Sequence, residues 1–301
     1  MSLITVIGGV NMDISAAMSA PFIKGDSIPG KVTMSCGGVA HNIAHNLCLL
    51  GHRVRFVTVF GGDEFGRLCH EQCSQLGLDL SLAERDPSAR NGLYLCVNNP
   101  DGDMVAAVAD MDIIERITPE FLERRIDDIN LSELVVTDTN LSVQALTYLL
   151  NHVEVPMMVD TVSTAKAPRI VEALQQSTTH RLHTLKVNSQ ELFEAGGYFS
   201  LPSQSARWLI GLGIQHVYAT LGASGVDCID INGEYHLPAI PAQVVNTTGA
   251  GDAFLAGVAH AHVSGVIFPD TAKMGLRAAY ATLLTSQTVN PDISRIINGL
   301  N

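Results

Sequence analysis

Near the C-terminal end, Thr247-Thr248-Gly249-Ala250-Gly251-Asp252 runs directly into the apolar stretch Ala253-Phe254-Leu255-Ala256-Gly257-Val258. Small residues at a helix start let backbone N–H groups approach a ligand closely, and the helix dipole favours an anion there. The chemistry this implies is phosphate binding. The segment lacks the Gly-Lys-Ser/Thr of a P-loop, so charge must be neutralised by amides, a metal ion or lysines elsewhere. Asp252 falls in the first helical turn, where the dipole is expected to keep it ionised. A weakly basic carboxylate is enough for phosphoryl transfer, whose loose transition state rewards positioning over strong deprotonation. Asp252 is therefore a candidate for orienting an acceptor hydroxyl and taking its proton late. The rival role is plain complementation of the helix N-terminus.

A second segment is Gly37-Gly38-Val39-Ala40-His41-Asn42-Ile43-Ala44-His45-Asn46-Leu47. A double glycine opening a helix permits close approach, and Asn42, one turn in, can both donate to and accept from hydroxyls. A tight strand-to-helix turn would also explain the glycines. A third is Ile7-Gly8-Gly9-Val10-Asn11-Met12-Asp13, directly after a first strand. In an open parallel sheet ligands bind beyond the carboxyl ends of the strands, which puts Asn11 and Asp13 where vicinal hydroxyls are gripped, as a ribose requires. Asn and Asp are also ordinary turn formers. His41-x-x-x-His45 puts two imidazoles on one helical face, and Cys69-x-x-x-Cys73 with His70 adds thiols. Apolar neighbours around both sets favour plain packing over zinc ligation.

Positioning these residues takes a layered fold. Short β-branched or apolar runs alternate with longer helical patterns, the signature of an α/β protein around a mainly parallel sheet. Strands are predicted at Ile4 to Ile7, Val54 to Val59, Leu134 to Thr137, Met157 to Asp160, His216 to Leu221 and Val226 to Ile229. Helices are predicted at Ala40 to Leu50, Glu64 to Leu76, Val143 to Asn151, Ser189 to Glu194, Ser203 to Gly211, Ala253 to Val263 and Thr271 to Thr285. Two extended stretches interrupt the alternation, about residues 15–35 and 92–109, the second a β-hairpin around Asn99-Pro100-Asp101-Gly102. Together they predict a small sheet serving as a lid on one domain spanning residues 1–301.

The 301 residues are 47% hydrophobic, enough to bury a large core, and carry a net charge of -12, which repels a phosphate backbone and argues against a nucleic-acid partner. No apolar run reaches the roughly 18 residues of a membrane span, and the chain opens straight into Ile4-Thr5-Val6-Ile7 instead of a signal peptide. A soluble cytoplasmic protein is expected, with its six scattered cysteines reduced.

Taken together, the Gly37-Gly38 pair with Asn42, the Asn11-x-Asp13 element and Thr248-Gly249-Ala250-Gly251-Asp252 resemble the two signature regions of the ribokinase-like, or PfkB, carbohydrate kinases. Their order and separation agree with that family over essentially the whole chain. The resemblance implies a three-layer αβα fold with a small β lid, and an enzyme that moves a phosphoryl group from ATP, with Mg²⁺, to a hydroxyl of a small sugar or nucleoside. It implies Asp252 as the catalytic base, the amides of Gly249, Ala250 and Gly251 as the anion hole, and Asn11, Asp13, Gly38 and Asn42 as acceptor contacts. Asn188 and Glu191, in Lys186-Val187-Asn188-Ser189-Gln190-Glu191, match the family's Asn-x-x-Glu element, with Asn188 on the ATP side and Glu191 tied indirectly to Mg²⁺. Thr220, Gly222 and Gly225 match its nucleotide-binding loop.

One departure is Asn246, where many relatives carry Asp in a region that helps bind an activating monovalent cation; losing the formal charge weakens such a site for K⁺. Asn246, with Pro29-Gly30-Lys31, Asp110-Met111-Asp112-Ile113, Asp138-Thr139-Asn140-Leu141-Ser142 and Asp160-Thr161-Val162-Ser163-Thr164-Ala165-Lys166, looks like the pseudouridine-phosphorylating branch of the family. That branch implies the ribose 5′-hydroxyl of pseudouridine as acceptor and a phosphate-neutralising role for Lys166, set against a structural one. Two rivals stay open: another acceptor (ribose, a different nucleoside, a fructose-type sugar or a sugar acid), and a non-catalytic ligand sensor on the same fold, which would not need Asp252 and its cradle. Exposed strand edges in the lid favour a homodimer.

Overall fold

The computed structural model describes residues 2–197, 199 and 201–300. Eight strands form the main sheet in the order Glu234–Leu237, Val226–Ile229, Ile214–Thr220, Leu182–Asn188, Met157–Asp160, Leu134–Asp138, Leu3–Ile7, Arg53–Val57. Neighbours run parallel except at the Glu234–Leu237 edge, where the last two pairings are antiparallel. The central strands are apolar on both faces because both are covered, as a parallel sheet requires. Ile7, Val57, Val135, Val159, Leu185 and Val217 pack under helices that include Val143–His152, Pro168–Gln176, Ser189–Ala195 and Pro202–Gly211. Ile4, Val6, Phe56, Val136, Met158 and Tyr218 pack under Val39–Leu49, Glu64–Gln75, Ala250–Val263 and Thr271–Leu283. This is the three-layer αβα architecture that the resemblance implies, built on the mainly parallel sheet expected from the alternation.

A separate four-stranded sheet runs in the order Gly30–Gly37, Asn11–Met18, Gly92–Asn98, Met104–Asp110. Its last two strands form the hairpin expected around residues 99–102, closed by Gly102 N–H on Asn99 O and Asn99 N–H on Asp103 O. Register makes the sheet two-faced. Asn11, Asp13 and Ser15 share one face with Ser35, Thr33 and Tyr94; Ile14 and Ala16 share the other with Met34, Val32, Leu95 and Val108. The polar face turns toward the start of the Val39–Leu49 helix, since Asn11 Oδ1 lies within 2.9 Å of where a Gly38 Cβ would stand. On the opposite face, Val32, Met34, Leu95 and Val108 are exposed.

Several elements differ from expectation. Asn11 and Asp13 do not lie in a turn after the first strand; they open a strand of the small sheet, because Val10 and Met12 are drawn into the core. The Val54–Val59 expectation divides into Arg53–Val57 and a short Val59–Gly61 strand paired with Glu84–Asp86. The Leu182–Asn188 and Glu234–Leu237 strands and the Pro168–Gln176 and Ile293–Gly299 helices were not anticipated. Among the described residues, no helix is long and apolar enough to cross a membrane.

Candidate active site

The parallel strands deliver their last residues to one end of the sheet. Asp138 ends one strand and Asp160 the next, and register sets Asp160 beside Asp138 on one side and Lys186 on the other. Asn188 and Thr220 are likewise register partners. The Ala250–Val263 helix enters this row with its N-terminus. Gly249 caps it in the left-handed region (φ 83°), where a Cβ would stand 2.2 Å from Thr288 O, so only glycine fits.

Asp252, buried in the first turn, accepts a hydrogen bond from Asn42 Nδ2 at 2.7 Å, which joins the two glycine-led helices face to face. Asn42 is itself buried, and its backbone oxygen accepts from Asn46 Nδ2 at 2.9 Å. Burial pushes the Asp252 carboxyl well above the ordinary carboxylate range and the Asp160 charge adds to it. The Asn42 hydrogen bond and Lys186 pull it back, and Asp138 pushes up again. Burial thus opposes the helix dipole, which is expected to keep Asp252 ionised. A carboxylate poised nearer neutrality is the better general base.

Lys186 was missed by sequence reading. Its Nζ is 3.1 Å from Asp160 Oδ2, both groups buried, and 2.8 Å from the position of a Gly251 Cβ. Burial pulls the ammonium down, but Asp160, Glu191 and Asp252 together hold it above the ordinary lysine value, so it is charged directly beneath the cradle. Lys166, the lysine singled out from sequence, instead donates to Asn140 Oδ1. The backbone beside this row is strained: Val162 has φ 62°, unusual for a β-branched residue, and its amide is pinned to Asp160 Oδ1 at 2.8 Å.

The other sequence candidates fall into three groups. Asn11 Nδ2 donates to Asp13 Oδ1, and a Cβ on Gly37 would stand 1.9 Å from Asp13 Oδ2. The Gly37-Gly38 pair, with Gly38 at φ 104°, therefore makes room for the Asn11–Asp13 couple as well as opening the helix. Burial pushes the Asp13 carboxyl up to about 6 against the Asn11 hydrogen bond. Asn188 and Glu191 form a reciprocal helix cap: Asn188 Oδ1 accepts from the amides of Gln190 and Glu191, and Glu191 accepts from Asn188 N, Asn188 Nδ2 and Thr161 Oγ1. Both side chains are thus committed to the loop's own geometry. Thr220, whose Oγ1 donates to Val187 O, leads into the Gly222–Ser224 turn; a Cβ at Gly222 would meet nothing, while one at Gly225 would stand 2.1 Å from Leu237 O.

Within the expected anion hole, the Ala250 amide is turned onto Thr247 O at 3.2 Å. Asn246 accepts from Thr248 N and donates to Ser286 O, tying the glycine loop to the segment after the Thr271–Leu283 helix. His41 packs near Phe56 and His45, and Cys69 and Cys73 are buried in the core. Among the described residues, no three His, Cys, Asp or Glu side chains converge to hold a metal ion.

Known proteins share this fold. The profile of the pfkB family carbohydrate kinases matches residues 1–295. The pseudouridine kinase of Escherichia coli (strain K12) is 32% identical over 297 residues, covering 97% of this chain and 93% of its own. A carbohydrate kinase from Agrobacterium tumefaciens superposes with a TM-score of 0.83 at 28% identity, over 99% of this chain and 97% of that one. The fold alone is shared with Arabidopsis thaliana ribokinase complexed with ribose and ATP, at a TM-score of 0.86 and 20% identity over 100% of this chain and 99% of that one. With the family profile spanning nearly its full length, the chain belongs to the pfkB family of carbohydrate kinases.

Proposed function

We propose that the chain phosphorylates the 5′-hydroxyl of pseudouridine, using ATP and releasing ADP. The observation that carries the catalytic part is the Asn42–Asp252 contact, which sets a buried carboxylate between a polar, ribose-suited face and a glycine-led helix N-terminus. The 32% identity to a pseudouridine kinase supports the acceptor.

In this reading Asn11, Asp13 and Asn42 grip the ribose hydroxyls, and Asp252 takes the proton of the 5′-hydroxyl as its oxygen forms the bond to the transferred phosphorus and the bond to ADP breaks. The Gly249 and Gly251 backbone and the Lys186 ammonium oppose the charge that develops on the phosphoryl oxygens. The residues present fit ATP: Gly222 offers open backbone, and Lys186 supplies a buried cation under Gly251. Mg²⁺ would supply further charge neutralisation, held chiefly by the nucleotide phosphates and water, as is usual for this ion. Glu191, saturated within its cap, bears on it only by fixing the Asn188 loop. Asn246, neutral and spent on Thr248 and Ser286, supports a kinase without strict K⁺ dependence.

The four-stranded sheet serves as the lid of the acceptor site, excluding water when closed. Its exposed apolar face, with Val32, Met34 and Val108, supports pairing with a second copy. The test of the acceptor is ADP release with pseudouridine, uridine, ribose and fructose compared at equal concentration. Pseudouridine should give the highest kcat/KM, because a poorer acceptor leaves buried polar groups unpaired. Any of the others ranking above it contradicts the assignment.

A further inference from the structure

We propose that His41 is a positioning residue for Asp252, its Nδ1–H holding the Asn42 side-chain amide in the one orientation that presents the NH₂ group to the carboxylate. The ends of that amide are not equivalent. A carboxylate only accepts, so the contact of 2.7 Å to Asp252 Oδ2 must be made by Asn42 Nδ2. Asn42 Oδ1 then points away, and His41 Nδ1 lies 3.3 Å from it. An amide oxygen cannot donate, so the imidazole must carry its proton on Nδ1. Its other nitrogen, Nε2, is then bare, and it is indeed buried without a hydrogen-bond partner.

That arrangement is wasteful for stability alone. His41 is 3% exposed, with Phe56 and His45 as ring neighbours, a setting in which a phenylalanine or leucine would leave no orphaned nitrogen. Burial, and then His45, push the imidazole down to about 4, against the Asn42 hydrogen bond, so the ring is neutral across the working pH range. A single neutral tautomer gives one fixed donor, which is what holding a neighbouring amide requires. The groups facing Asp252 are Asp160 and Asp138 at the strand ends, Lys186 and Asn42, and of these Asn42 is the one whose contribution depends on a rotatable amide. If the amide flips, its oxygen meets the carboxylate and Asp252 is driven further toward its protonated form.

The inference rests on Asp252 acting as the base. It is tested by the pH profile of kcat in the full-length enzyme with ATP and pseudouridine. Asparagine at position 41 keeps a donor where the imidazole Nδ1 stands, whereas glutamine keeps one only where Nε2 stands. His41→Gln should move the acid limb of kcat to higher pH by at least about half a unit, and His41→Asn should restore it. Equal limbs in wild type and both variants, or equal shifts in both, overturn the proposal, as does a glutamine variant with a lowered Tm and an unmoved limb. Should neither variant fold, the ring-nitrogen NMR shifts of the wild type decide: a proton on Nδ1 supports the role and one on Nε2 refutes it. An active Asp252→Asn enzyme would remove the base assignment itself. An inactive one with an unmoved His41→Gln limb would remove only the role of His41.

Discussion

Asn42 donates to Asp252 across 210 residues of chain, at 2.7 Å, and so ties the Val39–Leu49 helix to the helix capped by Gly249. Because the amide donates, it favours the charged form of a carboxylate that burial disfavours. Asn42→Asp would set a second carboxylate at that position. The acid limb of kcat should then move up by at least about 1 pH unit, since adjacent like charges resist joint ionisation. A pH–rate profile unchanged by the substitution would show that Asn42 does not tune Asp252.

Lys186 and Asp160 form a buried ion pair whose loss in part is worse than its loss in whole. Lys186→Met strands Asp160 without its cation, and Asp252 loses one of the groups that pull its proton affinity down. Breaking a buried pair in this way costs about 3–5 kcal/mol. Urea unfolding of the apo protein should register that loss, and residual turnover should retreat to higher pH. A destabilisation below about 1 kcal/mol would mean that the pair is far better solvated than its burial implies.

Burial outweighs the hydrogen bond from Asn11 and pushes the Asp13 carboxyl up to about 6. A raised carboxyl is charged above that value and neutral below it. An acceptor hydroxyl donates more strongly to the charged form, so the acceptor KM should climb as pH falls through about 6. In Asp13→Asn it should be high and nearly flat over the same interval. Parallel KM profiles for the two proteins would exclude Asp13 as an acceptor contact.

The apolar outer face of the small sheet gives a prediction independent of catalysis. Val32 and Met34 on one edge strand and Val108 on the other lie on one face, exposed. Wild type should sediment as a dimer at micromolar concentration, and Val32→Lys with Val108→Lys as a monomer. A monomeric wild type, or a double variant that still pairs, would place the contact elsewhere or remove it.

Much of the site could be read from the chain because its signals are local. Gly249 to Asp252 announce a helix start by composition alone, and the Gly37-Gly38 pair marks a second. What stayed hidden depends on topology. Lys186 sits in Arg181-Leu182-His183-Thr184-Leu185-Lys186-Val187-Asn188, where basic residues break the apolar run that advertises a buried strand. Asp138 and Asp160 each end such a run, yet their adjacency is a matter of strand order, which no local pattern states. The forces that raise the proton affinity of Asp252 are hidden for the same reason: the helix dipole is visible in sequence, whereas the carboxylates and the burial around it are supplied by distant segments.

The most direct measurement is kcat of Asp252→Asn with pseudouridine and ATP, beside wild type, with thermal unfolding of both as a control for folding. Removing the proton acceptor should lower kcat by roughly 10²–10⁴-fold with Tm held or raised, since the neutral amide replaces a carboxylate that burial disfavours. Turnover within a few-fold of wild type would contradict the assignment of Asp252 as the base.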